Sequence, residues 1–254
     1  GVDLSGGVCY FLRDRDNEGK CKIFSHRENN RIIESERYLS TSDVKAFIRF
    51  DEVFSILNKI KKFSEPSFMD LVSPRDPFGL NYYENGREIM FKIFDKQKKD
   101  DNVQIYYYGW KIDAPDYVER KYITTNVSAV NKYKVFISKA YGERGNYPYF
   151  ITGKPFLGKP EEICNMTYLM IGPFDDEATA KNVISYIATK FFRFLVSLLK
   201  NTQNAYKKVY QFVPMQDFSK SWTDAELYAK YNLDESEINF IESMIKPMEL
   251  GMRS

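Results

Sequence analysis

Histidine and cysteine are scarce in this chain, and their scarcity argues against several kinds of site. His26 is the only histidine among 254 residues, so zinc hydrolases and histidine-based catalytic triads are poorly supported. Cys9, Cys21 and Cys164 form neither a short pair nor a zinc-binding spacing. Their odd number argues against a disulfide framework, and we expect a reducing, cytoplasmic setting.

A strong charge of one sign and a long apolar run are also absent. The formal net charge of +2 does not decide for or against nucleic acid, because acidic residues elsewhere can balance a basic face. The longest apolar stretch, residues 183–199, is broken by Lys190 and Arg193, so we expect no membrane partner. The chain shows no signal peptide. It opens with Gly1 instead of Met, which predicts a fragment of a longer protein.

Motifs of the common catalytic classes are missing as well. The sequence contains no P-loop, no dinucleotide-binding fingerprint and no Gly-x-Ser-x-Gly elbow. A methyltransferase that uses S-adenosylmethionine needs a glycine-rich loop and an Asn/Asp-Pro-Pro-aromatic motif, and neither occurs. We therefore predict no catalytic residue, no metal ligand and no cofactor in this fragment.

A metal-dependent nuclease is one alternative that the sequence leaves open. Such an enzyme needs an acidic residue on one strand and an acid-x-Lys motif on a neighbouring strand. Asp116, followed by Glu119 and Lys121, superficially fits this pattern. The spacing is too short for the two parts to occupy adjacent strands, so a polar loop that enters a strand is the competing interpretation.

What the chain does contain is the pattern of an α+β protein, rich in aromatic residues: 19 Tyr and 20 Phe. Short apolar runs separated by Gly, Pro and polar turns predict several small mixed sheets. The predicted strands cover residues 8–12, 21–24, 89–94, 103–110, 133–138, 166–171 and 210–213. We expect the first two to form a hairpin, and likewise the third and fourth.

Helical spacing of apolar residues predicts four helices. One covers residues 42–62, and a long core helix runs from Asp176 to Lys200 with a bend near Thr189. Capping boxes predict two more, starting at Thr223 with Glu226 and at Asp234 with Glu237, the last ending near Met244.

A stretch rich in Pro, Gly and Asn, residues 64–87, predicts a long loop or a domain boundary. We therefore divide the chain into a small hairpin-plus-helix unit, residues 1–64, and a larger domain, residues 65–254.

Two segments interleave basic, polar and aromatic residues in the way that DNA-binding surfaces do. Lysine and arginine contact phosphates, and polar side chains recognise base edges. The segments are residues 132–159 and 200–210; an ordinary surface loop and a polar helix exit are their competing interpretations. The candidate DNA contacts are Lys132, Lys134, Lys139, Tyr141, Arg144, Asn146, Lys154, Lys159, Lys200, Gln203, Lys207 and Lys208.

Several stretches resemble type II restriction-modification enzymes with N6-adenine DNA methyltransferase activity, and together they span nearly the whole chain. Gly1-Val-Asp-Leu-Ser-Gly-Gly-Val-Cys-Tyr-Phe-Leu12 is similar to the segment that follows the catalytic motif in these bacterial enzymes. The other similar stretches are Val135-Phe-Ile-Ser-Lys-Ala-Tyr-Gly142, Thr189-Lys-Phe-Phe-Arg-Phe-Leu-Val196, Lys200-Asn-Thr-Gln203, Phe212-Val-Pro-Met-Gln-Asp-Phe218, Ser221-Trp-Thr-Asp224 and Ile241-Glu-Ser-Met-Ile245.

The resemblance implies a role in DNA target recognition. Residues 1–40 would be the trailing strands of a methyltransferase domain, with Tyr10 or Phe11 stacking on a flipped adenine. Residues from about 65 onward would be the target-recognition domain, with the long helix as its scaffold. The implied partners are double-stranded DNA and the methyltransferase portion of the same polypeptide, which would bind S-adenosylmethionine. A protein-interaction module without a DNA role is the second alternative.

Overall fold

The computed structural model describes residues 9–16, 18–26, 32–39, 48, 50–80, 83–84, 87–88, 93–107, 115–143 and 145–250, and it confirms an α+β fold. The strands are β1 (Cys21–His26), β2 (Ile32–Arg37), β3 (Tyr83–Glu84), β4 (Arg87–Glu88), β5 (Phe94–Asp95), β6 (Asn102–Tyr106), β7 (Asp116–Glu119), β8 (Tyr133–Ser138), β9 (Phe156–Gly158), β10 (Glu162–Cys164) and β11 (Tyr168–Phe174). The α-helices are α1 (Glu52–Lys61), α2 (Glu177–Ala188), α3 (Lys190–Ser197), α4 (Asp224–Lys230) and α5 (Glu235–Met244). Short 3-10 helices cover Phe68–Leu71, Arg120–Tyr122, Val127–Ala129 and Lys207–Tyr210.

A three-stranded antiparallel sheet, in the order β11-β8-β9, separates two hydrophobic cores. Successive residues of a strand point to opposite faces. Val135 and Ile137 of β8 therefore pack into the core formed with the helices, whereas Phe136 between them packs into the second core. Because both faces of this sheet are covered, β8 is buried along almost its whole length.

A second sheet, in the order β10-β6-β7-β5, supplies the smaller core. Val103 and Ile105 of β6, Val118 of β7 and Ile163 of β10 are fully buried there. β10 runs parallel to β6, and the other pairs in the sheet are antiparallel.

The long helix predicted over residues 176–200 consists of two helices that meet at Thr189. The backbone of Thr189 is extended, with ψ of 150°, and its hydroxyl accepts a hydrogen bond from the Phe192 amide to cap α3. Every residue from Phe191 to Val196 is buried, so α3 is the central element of the larger core. The predicted bend at Thr189 is confirmed, although it is a full break between two helices.

The larger core extends across the predicted boundary between residues 64 and 65. Val53, Ile56 and Leu57 of α1 lie in the same buried cluster as the residues of α3 and α5. Glu237 of α5 accepts hydrogen bonds from Ser55 and Lys59, each at 2.6 Å. The division into two units therefore stays a prediction, and α1 packs as part of the larger core.

Both capping boxes are confirmed. Thr223 accepts a hydrogen bond from the Glu226 amide at the start of α4, and Asp234 does the same for Glu237 at the start of α5. The strand over residues 133–138 is likewise confirmed. The strand predicted over residues 166–171 begins at Tyr168 and continues past Ile171 through a bulge to Phe174.

Other local predictions were wrong because pairing depends on distant parts of the chain. Residues 9–12 form no strand, and β1 pairs instead with β2, which offers six residues in register. β5 and β6 do not form a hairpin, since β7 lies between them. Residues 207–210 form a 3-10 helix rather than leading into a strand at Tyr210, whose ring is buried against Phe68 and Phe192.

The first predicted helix begins later than expected. It starts at Glu52, and residues 48 and 50 are not helical. The part predicted over residues 42–47 lies outside the described residues. Within the described residues, none of the helices combines the length and the apolar character needed to cross a bilayer.

Candidate nucleic-acid interface

The two segments predicted to contact DNA lie side by side in the structure. Ala140 and Asn204 form an antiparallel bridge. The Tyr141 amide donates to the Gln203 carbonyl at 2.8 Å, and the Ala205 amide donates to the Lys139 carbonyl at 2.7 Å. We name residues 139–142 and 200–205 the paired strip. It joins parts of the chain about sixty residues apart, and it places Lys139, Tyr141, Lys200 and Gln203 together.

Each side of the strip is anchored by an element of the core. Lys139 directly follows β8, and its amide donates to the Thr167 carbonyl at 3.0 Å. The other side follows α3, and Ala205 is buried. The Lys200 ammonium donates to the Tyr141 carbonyl at 2.6 Å, which joins the two sides. Burial lowers the pKa of Lys200, and the charge of Glu143 opposes this effect.

Glycines let the backbone pack closely at this end of β8. A Cβ atom on Gly142 would lie 3.3 Å from the Cβ of Gln203. A Cβ on Gly153 would lie 3.3 Å from the Ser138 hydroxyl and 3.6 Å from the Tyr141 ring. Residue 153 therefore adjoins the strip, and the exposed Lys154 follows directly after it.

Glu143 and residues 145–152 are held against the helices by charged side chains. Glu143 accepts hydrogen bonds from the amides of Phe150 at 2.5 Å and Ile151 at 3.3 Å. The Arg193 guanidinium donates to the Phe150 carbonyl at 3.2 Å, and Lys246 pairs with Glu143 at 3.2 Å. Predicted contact Asn146 is exposed on this loop.

Two predicted contacts lie at the other end of β8. Lys132 precedes the strand and forms an ion pair with Asp175, whereas Lys139 follows it. Lys159 follows β9, whose Gly158 is in register with Lys134 near the start of β8. A six-residue strand is about 20 Å long. Lys132 and Lys159 are exposed but do not join the paired strip.

Lys134 is not a surface residue, and its prediction as a DNA contact was wrong. Its side chain is fully buried, and the ammonium donates to the carbonyls of Val130, Lys159 and Glu162 at 2.8–3.1 Å. Because β8 is covered on both faces, a lysine at this position points into the protein. Its role is to hold three chain segments together at the start of the strand.

Substitution of Lys134 tests this correction. We expect Lys134→Met to lower the free energy of unfolding at pH 7 by about 1–3 kcal/mol, because three carbonyl oxygens lose a charged donor and those of Val130 and Lys159 keep only a backbone amide donor. Urea unfolding measures this loss. The folded variant should bind duplex DNA as the parent chain does, and weaker binding by a fully folded variant would contradict the buried placement.

The stability of the unsubstituted chain and that of Lys134→Met should depend differently on pH. Burial lowers the pKa of Lys134 from 10.5 to about 8, so between these values the unfolded chain binds more protons than the folded one. Stability therefore rises with pH through this window in the parent chain. The Met variant should lack this rise, and urea unfolding at pH 7.5 and 9.5 compares the two slopes. Equal slopes would show that Lys134 keeps its usual pKa.

The remaining predicted residues are placed as follows. Lys207 and Lys208 lie in the 3-10 helix just after the paired strip, with Lys208 exposed and Lys207 half-buried. Arg144 lies outside the described residues. Tyr10 and Phe11 are 82% and 86% exposed, and the Tyr10 hydroxyl lies 3.3 Å from Nε2 of His26.

Arg75 is a basic residue at this site that sequence reasoning missed. It lies in the Pro- and Gly-rich segment after the first 3-10 helix, which was interpreted only as a loop or boundary. Burial lowers the pKa of Lys139, and the charge of Arg75 is the next largest cause. A basic residue between two prolines, Pro74 and Pro77, was the only sequence signal, and it is weak.

The geometry does not favour the nuclease alternative. Asp116 and Glu119 are three residues apart on β7, so their carboxylates point to opposite faces of the sheet. Asp116 is buried and accepts from the Tyr107 hydroxyl, which raises the pKa of Tyr107 to about 12. Glu119 pairs with Lys121 at 2.6 Å. One metal ion cannot be held by both carboxylates in this arrangement.

Comparison with known proteins leaves this surface as the main guide to function. No protein-family model matches the chain, and no curated protein or solved structure matches it either.

Proposed function

We propose that this chain recognises duplex DNA as the target-recognition part of a bacterial type II restriction-modification enzyme. The methyltransferase portion of that enzyme would transfer a methyl group from S-adenosylmethionine to N6 of an adenine. This chain would bind and orient the DNA without catalysing the transfer. The proposal places the protein in the bacterial cytoplasm, where such enzymes meet their DNA.

The observation that supports the proposal is the pairing of the two basic and polar segments in the paired strip. Lys139, Lys200 and Gln203 come from distant parts of the sequence, yet backbone hydrogen bonds hold them at one site. Ammonium groups suit phosphates, and an amide side chain suits the edge of an adenine. The exposed Gln203 side chain is carried on backbone that is held by hydrogen bonds at Gln203 itself and at Ala205.

The strip is also built in the way that recognition surfaces require. Its two sides extend from β8 and α3, which are the most deeply buried strand and helix of the larger core. Residues carried on rigid elements keep their geometry when a ligand arrives, so less ordering cost opposes binding.

A titration at several salt concentrations tests the proposal. We expect the chain to raise the fluorescence anisotropy of a labelled mixed-sequence duplex. A plot of the logarithm of the affinity against the logarithm of the salt concentration should have a slope of roughly −3 or steeper. Such a slope corresponds to release of counterions from several phosphates.

Absence of binding at the lowest salt would count against the strip as a DNA surface. It would favour the protein-interaction alternative, for which the exposed side chains of Tyr10, Phe11 and Leu12 offer an apolar contact. The same titration with the full-length restriction-modification enzyme then separates the recognition domain from the protein-interaction module. Only a recognition domain should contribute to DNA binding by the full-length enzyme.

A further inference from the structure

Arg75 and Lys139 approach the start of β11 from its two sides. The chain before Arg75 runs along one edge of β11, where the Ser73 amide donates to the Met170 carbonyl at 2.8 Å. Lys139 lies along the other edge, where its amide donates to the Thr167 carbonyl at 3.0 Å. Neighbouring strands are about 4.8 Å apart, so the two backbones are about 10 Å apart and long side chains from both can meet.

The direction of the chain brings Arg75 toward this meeting point. Val72 is bridged to Ile171 in the antiparallel sense, so the residues after it run back toward Tyr168. Tyr168 is in register with Ser138, the residue before Lys139. The charge of Arg75 acts on Lys139 and lowers its pKa, in the same direction as burial does.

Among the described residues, neither Arg75 nor Lys139 forms an ion pair. Asp76 acts on Lys139 in the opposite sense, but its effect is smaller than that of Arg75, and its carboxylate accepts from the Leu80 amide at 3.2 Å. Two like charges that lie close together and form no ion pair are stabilised when an anion binds between them.

From this arrangement we infer that Arg75 and Lys139 form a binding site for a single phosphate group. Arginine offers a planar fork that can bind two phosphate oxygens, and lysine adds a point charge. The inference deepens the proposed function, on which it partly rests: under that function the group is one phosphodiester of the DNA backbone. The same chemistry would accept the phosphate of a small free compound, and the experiment separates these two sources.

A double-mutant cycle on duplex binding tests the site. The proteins are the parent chain, Arg75→Ala, Lys139→Ala and the double variant, titrated with a mixed-sequence duplex by anisotropy. At 0.1 M salt each single change should weaken binding about eightfold and make the salt slope shallower by about 0.9. Because both side chains bind one phosphate, the double variant should lose little more than either single variant, rather than the product of the two losses.

The matched control removes one positive charge elsewhere. Lys62 is exposed at the end of α1, and Lys62→Ala should leave the affinity and the slope close to those of the parent. Unchanged binding in both Arg75→Ala and Lys139→Ala would overturn the inference and leave the proposed function standing. Losses that multiply fully in the double variant would also overturn it, since they would show two separate contacts.

A second arm uses pyrophosphate as the probe and follows the lysine side-chain methylene signals by NMR. One outcome is that the unsubstituted chain fails to bind duplex DNA and yet shows a lysine signal that pyrophosphate shifts. If the same signal does not shift in Arg75→Ala, the phosphate site is supported and DNA is overturned as the source of the phosphate. Absence of both responses would overturn the site, and the titration with the full-length enzyme would then decide the proposed function.

Discussion

Replacement of Lys139 and Lys207 by alanine should weaken duplex binding by roughly sixtyfold at 0.1 M salt. Lys139 belongs to the paired strip and Lys207 to the 3-10 helix that follows it. Each lost phosphate contact removes about 0.9 from the salt slope, which corresponds to about eightfold in affinity at this salt concentration. The two residues lie on different segments, so the losses should multiply. Anisotropy titrations from 0.05 to 0.2 M salt measure both quantities.

The control for this prediction is a second double variant, Lys132→Ala with Lys159→Ala. These lysines are exposed and equally charged, but they lie at the opposite end of β8. We expect a much smaller loss if the paired strip is the DNA surface. Equal losses of affinity in the two double variants would indicate either a larger DNA-binding surface or a general effect of net charge. Either result would contradict the paired strip as the DNA surface.

Replacement of Arg193 by methionine should lower the free energy of unfolding by about 3–5 kcal/mol. Arg193 is fully buried in α3 and donates to three carbonyls, those of Ala188, Thr189 and Phe150. Two of these groups lie at the end of α2, where carbonyls lack partners within the helix. Methionine fills a similar volume but leaves all three oxygens without this donor. Urea or thermal unfolding measures the loss, which corresponds to a decrease in Tm of roughly 10 °C.

Two comparisons distinguish this role from a simple loss of packing. Arg193→Lys retains a positive charge but not the planar fork, so it should recover only part of the stability. Hydrogen exchange at the Phe150 and Ile151 amides should accelerate in the Met variant, because Arg193 and Glu143 together hold these two residues. An exchange rate like that of the parent chain at these two amides would show that the loop does not depend on Arg193.

Features that depend on neighbouring residues were predicted well. The capping boxes at Thr223 and Asp234 are confirmed, because a cap involves side chains and amides only three positions apart. The break at Thr189 is local in the same way, since its hydroxyl caps the helix that follows.

Features that depend on pairing between distant strands were predicted less well. β7 has only two apolar residues in the sequence Asp116-Tyr-Val-Glu119, so nothing local indicated a strand between β5 and β6. Its buried apolar residue is Val118, which packs against residues of β6 and β10. The predicted hairpin was therefore wrong in its partner, although β6 overlaps the strand predicted over residues 103–110.

At the candidate site, too, local features could be predicted from the sequence and long-range contacts could not. The sequence by itself determined which segments are basic and polar, where the main helices lie and that the fold is α+β, because composition and short-range spacing carry that information. Only the tertiary structure decided that Lys134 is buried while Lys139 is partly exposed, that residues 139–142 pair with residues 200–205, and that Arg75 acts on Lys139. The physical reason is that a lysine's position depends on what covers each face of its strand, and both coverings of β8 come from residues far away in the sequence.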